Sequence, residues 1–506
     1  MERMIGGTLL TGGRDLGSKE NYALLMRDGL IVDVAPAETL RRAHPRVDCD
    51  FDANRLIVPG FIDAHDHGRG LSPFRFGVRD CALELWIPQL RRICAPAAQA
   101  AYYDGLRLAA AGVTTVVHCH NIVDGDRLSD ELVETARAYN KAGIRVALCP
   151  PFTDQNSLIY ADRTAFADML APGLKADFLK MICDRPIGLS EYCDLLDELR
   201  KCLAQEIASG MVAVQVCPVG VQWCGDKALT DLADYAKQHR TSVHMHMLET
   251  KYQRVYAHRQ WGKSTVNHLQ EIGFLGPHLT CAHTVWAEDG ELDLLAEAGV
   301  TLVTNPSSNL RLRSGVMPLA SAVERGLVCG VGLDGCGLDD DQDYCRELRM
   351  AYLNAERSGV DAASELSCEH ILQMSYAGGG RAAGGALSAG RLEPGGRADF
   401  VCFDLNRLRA PYCDEDVTPA ELIVQLGSKD KITEVYCAGK RIVADGNADM
   451  VETAGKDLSD AVRRAIAIGR APLPSEGLKR AIASFYRQWE RAEEDENSGH
   501  FTDTRA

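Results

Sequence analysis

Leu279-Thr280-Cys281-Ala282-His283 is a short apolar and β-branched run, Asp289–Ala298 after it has helical periodicity, and Val300-Thr301-Leu302-Val303-Thr304-Asn305 is a second short run behind Gly299. Two such runs joined by a helix read as parallel neighbours with a crossover connection. The unit recurs in both directions. Toward the N-terminus the equivalent runs are Leu56–Ala64, Thr114–His118, Ile144–Pro150, Met211–Pro218 and Thr241–His246, with another helical connector at Thr230–His239; toward the C-terminus the last is Leu327–Asp334. Eight strand–helix alternations predict an α/β fold, a (β/α)8 TIM barrel over residues 56–387.

Outside that region the pattern changes. Residues 1–55, including Ala23–Val34, and residues 388–450, including Ala398–Phe403 and Ile432–Val443, are Gly-punctuated short strands of antiparallel type. Two strand-rich flanks of one barrel predict a single small β-sandwich-like domain built from both. Residues 451–506 form a helical extension, with helices expected at Ala461–Ile468 and Leu478–Ala492 before the acidic tail Glu493-Glu494-Asp495-Glu496-Asn497, expected to be solvated. The connector from Pro151 to Gly210 is too long for one helix; it is either a lid over the barrel mouth or a surface excursion.

Composition narrows the function. Lys and Arg number 55 against 71 Asp and Glu, a net charge of −16, which argues against nucleic acid or an anionic membrane as partner. The 18 cysteines include no Cys-x-x-Cys pair, so a zinc ribbon or dithiol redox site is not indicated. With no apolar run of membrane-span length and no secretory pattern at the start, the expected setting is cytoplasmic and reducing.

The metal-type residues stand at strand ends. The first run closes on Asp63-Ala64-His65-Asp66-His67, where positions two apart share a face, so His65 and His67 reach one point. The fifth run ends His244-Met245-His246-Met247-Leu248-Glu249, the sixth at His283 and the eighth at Asp334. Barrel enzymes place their chemistry at this carboxyl end. Imidazoles and a carboxylate converging there suit one divalent ion, Zn²⁺ first, with Fe²⁺ and Mn²⁺ as alternatives.

These residues carry a resemblance. Val58-Pro59-Gly60-Phe61-Ile62-Asp63-Ala64-His65-Asp66-His67 resembles the opening metal motif of the amidohydrolase superfamily. The likeness continues through His244–Thr250, Cys281–Trp286, Asn305–Leu310, Gly330–Gly335 and Gly395–Phe400. The chain is similar to the single-metal branch that contains atrazine and triazine chlorohydrolases and guanine and adenosyl-type deaminases. The resemblance implies that His65, His67, His246 and Asp334 hold the metal, that Glu249 transfers protons and that His283 hydrogen-bonds the attacking water. The ion would bring a water's pKa toward neutrality and supply hydroxide. Asp334 would take the water proton and Glu249 deliver it to a ring nitrogen. Two-metal relatives carry a carboxylated lysine at the end of the fourth strand, and Met211–Pro218 contains no lysine.

The expected activity is hydrolytic deamination of an aromatic N-heterocycle of purine, pterin or triazine type, with release of ammonia. Cyclic-amide or C–Cl hydrolysis on the same site is the alternative, and a non-catalytic scaffold is a remote one. The expected partner is that small heterocycle; self-association as a homo-oligomer is an expectation from the family alone. Trp86, Gln89, His118, His120 and Trp223 are candidate substrate contacts, as aromatic and amide groups suit a flat hydrogen-bonding ring. His244 is expected to face the barrel wall, and Asn305 and Asn309 to hold the turn after the seventh strand. Gly262-Lys263-Ser264 lacks the first glycine and preceding strand of a phosphate loop, and no Pro-Cys-x-x-Cys pair of a cytidine-deaminase site is present.

Overall fold

The computed structural model describes residues 2–12, 16–155, 158–181, 187–335, 339–355, 366–385, 387, 390–444 and 447–497, with side chains to residue 490. The expected start of the second β-segment at 388 and the side chains of the acidic tail lie outside the described residues. In chain order the strands are β1 (Glu2–Leu10), β2 (Ser18–Arg27), β3 (Leu30–Pro36), β4 (Cys49–Pro59), β5 (Phe61–Asp66), β6 (Val113–Cys119), β7 (Arg145–Cys149), β8 (Pro151–Phe152) and β9 (Val212–Val214). They continue as β10 (Cys217–Pro218), β11 (Val243–Met247), β12 (Leu279–His283), β13 (Thr301–Thr304), β14 (Val328–Val331), β15 (Phe400–Asp404), β16 (Ile432–Cys437) and β17 (Lys440–Ala444).

Two four-stranded parallel sheets, β5-β6-β7-β9 and β11-β12-β13-β14, carry the strand–helix alternation. Six of their eight strands are buried from end to end, and β9 and β14 each have a single half-buried residue, as strands covered on both faces do, which is why they read as short apolar runs. Parallel bridges Val216–Val243 and Gly220–His246 link the stretch after β9 to β11. At the other margin the Asp334 amide donates to the His65 carbonyl at 2.9 Å.

The flanks pair into one seven-stranded sheet in the order β17-β16-β15-β4-β1-β2-β3. β4 joins the two flanks of the expected β-sandwich-like domain into one hydrogen-bonded sheet: it pairs parallel with β1 and antiparallel with β15. Neighbouring residues alternate between its faces, so Ile5, Leu24, Ile57 and Phe400 share one cluster, while Met4 and Leu25 pack with Ala37 and Leu40 of the helix Ala37–Ala43 on the other.

The run Leu56–Ala64 is thus two strands, the end of β4 and the start of β5, divided at Gly60. A Cβ there would stand 2.3 Å from Thr114 Oγ1, so only glycine lets the chain cross from one sheet to the other against β6. A dry ion pair fastens the same junction. Arg145 on β7 meets Asp399 with Nε–Oδ2 at 2.7 Å and Nη2–Oδ1 at 2.9 Å, and Asp399 Oδ1 also accepts from the Ala438 amide at 2.6 Å.

The insertion after β8 contains the helices Arg163–Asp168, Pro172–Met181 and Leu189–Cys202. The last packs on the core through Leu196 and Leu199, and its Tyr192 hydroxyl donates to the Pro150 carbonyl at 2.7 Å. The first two meet the C-terminal helix Glu476–Asn497: Phe166, Phe178, Leu478, Ile482 and Tyr486 form one apolar cluster. Among the described residues no helix is long and apolar enough to cross a membrane.

Asp399→Asn leaves the Arg145 charge without its carboxylate in a site closed to water. The expected cost is about 3 kcal/mol, read as a lower urea midpoint; an unchanged midpoint would show that the pair does not hold the junction.

Candidate active site

His65 and His67 leave β5 on one face, and the other polar groups reach them from the ends of β11, β12 and β14. His65 Nε2 and His67 Nε2 lie 3.3 and 3.1 Å from Asp334 Oδ1, and His246 Nε2 lies 3.4 Å from His67 Nε2. The ligand-type atoms of His65, His67 and His246 fall within 4.8 Å of one another, as do those of His65, His283 and Asp334. The backbone is bent to deliver them: Leu248, His283, Thr284 and Asp334 have φ of 48°, 73°, 48° and 55°. Left-handed conformations at non-glycine residues cost energy and persist where the surroundings enforce them.

The other nitrogen of each imidazole is already engaged. His67 Nδ1 donates to the Cys119 carbonyl at 2.7 Å and His246 Nδ1 to the Val219 carbonyl at 2.8 Å, which leaves both Nε2 lone pairs turned inward. His65 Nδ1 meets His244 Nε2 at 3.0 Å, and its own Nε2 is buried without a hydrogen-bond partner. His283 Nδ1 donates to Asn309 Oδ1 at 2.8 Å, and its Nε2 lies 3.8 Å from Glu249 Oε2 and 3.9 Å from Asp334 Oδ2. The Ser308 hydroxyl donates to Asp334 Oδ2. Three inward nitrogens and one carboxylate oxygen, with an orphaned Nε2 among them, fit a divalent transition metal.

Burial sets the charges. It pulls the His65 imidazole down to about 4, and His246 well below its usual range, so both are neutral and able to coordinate. Burial pushes the Glu249 carboxyl up to about 7, with Asp334 adding to the rise and His283 opposing it. Burial also opposes ionisation of Asp334, but the adjacent His65 and His67 imidazoles outweigh it and hold that carboxyl well below the ordinary value. Two neighbouring carboxyls are therefore biased apart, one toward holding a proton and one toward the anion.

Above the centre lies a cleft of about 1880 Å³ whose lining includes His67, His246, Glu249, His283 and Asp334. Of the residues singled out for substrate contact, Trp86, His118, His120 and Trp223 line it. Gln89 does not: it turns inward, donating to the Leu85 carbonyl at 2.9 Å and accepting from the Arg79 amide at 3.5 Å. His118 Nε2 lies 3.1 Å from His120 Nδ1, and His120 Nε2 donates to Glu131 Oε1 at 2.7 Å. The Tyr139 hydroxyl, which donates to Asp104 Oδ2, lies 3.2 Å from His118 Nδ1, so this row of side chains is braced from behind.

Two expectations change. His244 faces inward beneath His65, its ring stacked with centroids 5.1 Å apart, because residues two apart on a strand share a face and His246 points inward. Asn309 orients His283 rather than holding a turn alone. Sequence reading also passed over Arg69, whose guanidinium lies 5.4 Å over the Trp86 ring and donates to Asn121 Oδ1 at 3.1 Å. It passed over Thr250 too, next to Glu249, whose hydroxyl donates to the buried Glu84 carboxylate at 2.5 Å. Neither carries a local sequence signal.

Among curated proteins, the chain is 26% identical over 446 residues to the 5'-deoxyadenosine deaminase of Methanosarcina mazei, covering 86% of this chain and 91% of that one. It is 27% identical to the 5-methylthioadenosine/S-adenosylhomocysteine deaminase of Syntrophobacter fumaroxidans, covering 87% of this chain and 92% of the other. In fold it is similar to a zinc-bound adenosine deaminase from Xanthomonas campestris, with a TM-score of 0.73 at 22% identity over 91% of this chain and 98% of that one. A zinc complex of atrazine chlorohydrolase from Arthrobacter aurescens TC1 gives a TM-score of 0.72 at 19% identity over 91% and 99% of the two chains. A bacterial imidazolonepropionase-like composite domain matches residues 23–46. The amidohydrolase family profile matches residues 56–442, a span that holds every strand end described above, and the chain belongs to that family.

Proposed function

We propose that this protein is a metal-dependent deaminase that replaces an exocyclic amino group of an aromatic N-heterocycle by oxygen and releases ammonia. The observation that carries the reading is the placement of Glu249 Oε2 and Asp334 Oδ2 at 3.8 and 3.9 Å from His283 Nε2, beside three imidazoles whose outer nitrogens are engaged. The relatives named for deaminating 5'-deoxyadenosine and methylthioadenosine support a purine ring ahead of pterin or triazine. His65, His67, His246 and Asp334 would hold one divalent ion, Zn²⁺ first. When bound, that ion supplies an activated water as nucleophile.

The chain's own groups account for the protons. Asp334, held as the anion, accepts one from the attacking water. Glu249, with its pKa near neutrality, protonates a ring nitrogen as the carbon becomes tetrahedral. His283, fixed by Asn309, orients the water from the other side. The C–N bond then breaks, the water oxygen stays on the ring carbon as its carbonyl, one proton of the water leaves with the amino nitrogen as ammonia, and the other replaces the proton that Glu249 gave to the ring nitrogen. Trp86 would flank the ring, with His118 and His120 along one edge of the cleft.

The same reading closes the two parallel sheets into one eight-stranded barrel over residues 56–387, through the Val216–Val243 bridge and the Asp334–His65 hydrogen bond. Residues 1–55 and 388–450 then form one composite β-domain, with 451–506 as an extension. The buried free thiols suit a cytoplasmic setting.

The test is ammonia release from aminated purines, pterins and triazines by protein of assayed metal content. Ammonia from purines that is lost on chelation supports the reading; chloride from chlorinated rings in its place would redirect it. Glu249→Gln should keep the metal and lower kcat/KM about 100-fold to 10,000-fold, and near-normal turnover would remove Glu249 from the proton path. His65→Ala should lose metal by elemental analysis together with activity; full occupancy would contradict its place among the ligands.

A further inference from the structure

The C-terminal helix Glu476–Asn497 lies beyond the stretch matched by the family profile, yet two of its side chains, Phe485 and Trp489, line the same cleft as Glu249 and Asp334. It is docked by specific contacts. Tyr486 accepts a hydrogen bond from the Tyr160 amide at 3.1 Å, and the Tyr252 hydroxyl donates to Glu490 at 2.7 Å. Lys251 forms an ion pair with the same carboxylate. Lys251 and Tyr252 open the helix that starts just after Glu249, and Tyr160 belongs to the insertion after β8. The C-terminal helix therefore bridges two walls of the cleft.

Where it does so the lining is aromatic. Trp489 is 5% exposed, with the Phe485 ring 5.2 Å away and the Arg259 guanidinium 5.2 Å over its own ring. Tyr160 and Trp223, whose centroids are 6.0 Å apart, also line the cleft. Trp223 Nε1 and Gln222 Nε2 are buried beside them, donors that nothing among the described residues satisfies. The cleft volume of about 1880 Å³ exceeds the roughly 300–1,000 Å³ of ordinary ligand pockets. A bare ring at the metal centre leaves the aromatic end empty.

We infer that Phe485 and Trp489 of the C-terminal helix, with Tyr160 and Trp223, form a distal aromatic compartment that takes a flat apolar substituent of the substrate. The substrate class is thus a heterocycle carrying an apolar arm, not a free base. This deepens the deaminase reading and rests on it for the ring's position. The arm stacks on Trp489 and Phe485, while acceptor atoms near its root meet Gln222 and Trp223.

The probes are adenine and 9-benzyladenine, with guanine and 9-benzylguanine as a second pair. Binding is read by calorimetry on the metal-loaded full-length Glu249→Gln protein, and turnover on the unmutated one. The benzylated ring of at least one pair should bind about tenfold more tightly than the bare ring. Adding Trp489→Ala or Phe485→Ala should bring that ratio toward one, while Trp489→Phe keeps most of it; thermal melts identify any variant that has lost its fold. Equal affinities within both pairs, no binding of any probe, or a ratio unchanged in a folded Trp489→Ala protein would overturn the compartment. Benzyl preference without ammonia from any ring would sink the deaminase reading and leave the compartment standing. Ammonia release without benzyl preference would do the reverse.

Discussion

Each imidazole at the centre has one nitrogen to offer, because the other is engaged by a fixed partner: Cys119 O for His67, Val219 O for His246 and His244 for His65. Cys119 is on the neighbouring β6, Val219 follows β10 and His244 is on β11, so ring orientation is set by how the strands are placed and not by the histidines alone. A one-residue slip of β11 would turn His246 out of the site together with His244. The parallel pairing of β11 with β12, from Val243–Leu279 through Met247–His283, therefore fixes the arrangement of the imidazoles as much as it fixes the sheet. The positive φ values at His283 and Asp334 belong to the same constraint, since they aim side chains that a regular strand end would point elsewhere.

Strand register in turn depends on how the flanking sheet is anchored. β4 runs into β5 with only Gly60 between them, so the first metal motif begins one residue from a sheet whose other strands come from both ends of the chain. The Arg145–Asp399 pair ties β7 to the start of β15 at a point where neither side chain is more than 1% exposed. A bidentate pair of that kind is specific in direction as well as strong, and it fixes the orientation of one sheet on the other. The flanking sheet is therefore part of what holds the centre in place.

Much of this was legible in the sequence because it is written in local periodicity. The buried parallel strands show as short β-branched runs, and the strand-end histidines follow from the two-residue repeat. What was missed has two physical sources. The two-residue rule applied to His65 and His67 applies equally to His244 and His246, and following it would have put His244 inside. Groups such as Asn309, Thr250 and Glu84 act through partners 26 to 166 positions away, as His283–Asn309 and Thr250–Glu84 show. No local pattern marks such pairs. The division of Leu56–Ala64 at Gly60 was hidden because both halves are apolar, and only the approach of Thr114 shows why the glycine is needed.

The long insertion and the C-terminal extension were each ambiguous alone, and the reason lies in how their apolar surface is used. Phe166 and Phe178 of the insertion and Leu478, Ile482 and Tyr486 of the last helix cover one another, so neither segment has a complete core without its partner. Helices of 6 and 10 residues are marginal unless packed against something, which makes the C-terminal helix a condition for order in the insertion. The insertion supplies Tyr160, whose hydroxyl donates at 3.1 Å to the same Glu84 oxygen that accepts from Thr250, the residue after Glu249. Packing at the far end of the chain is thereby connected, through Tyr486, Tyr160, Glu84 and Thr250, to the backbone that carries Glu249.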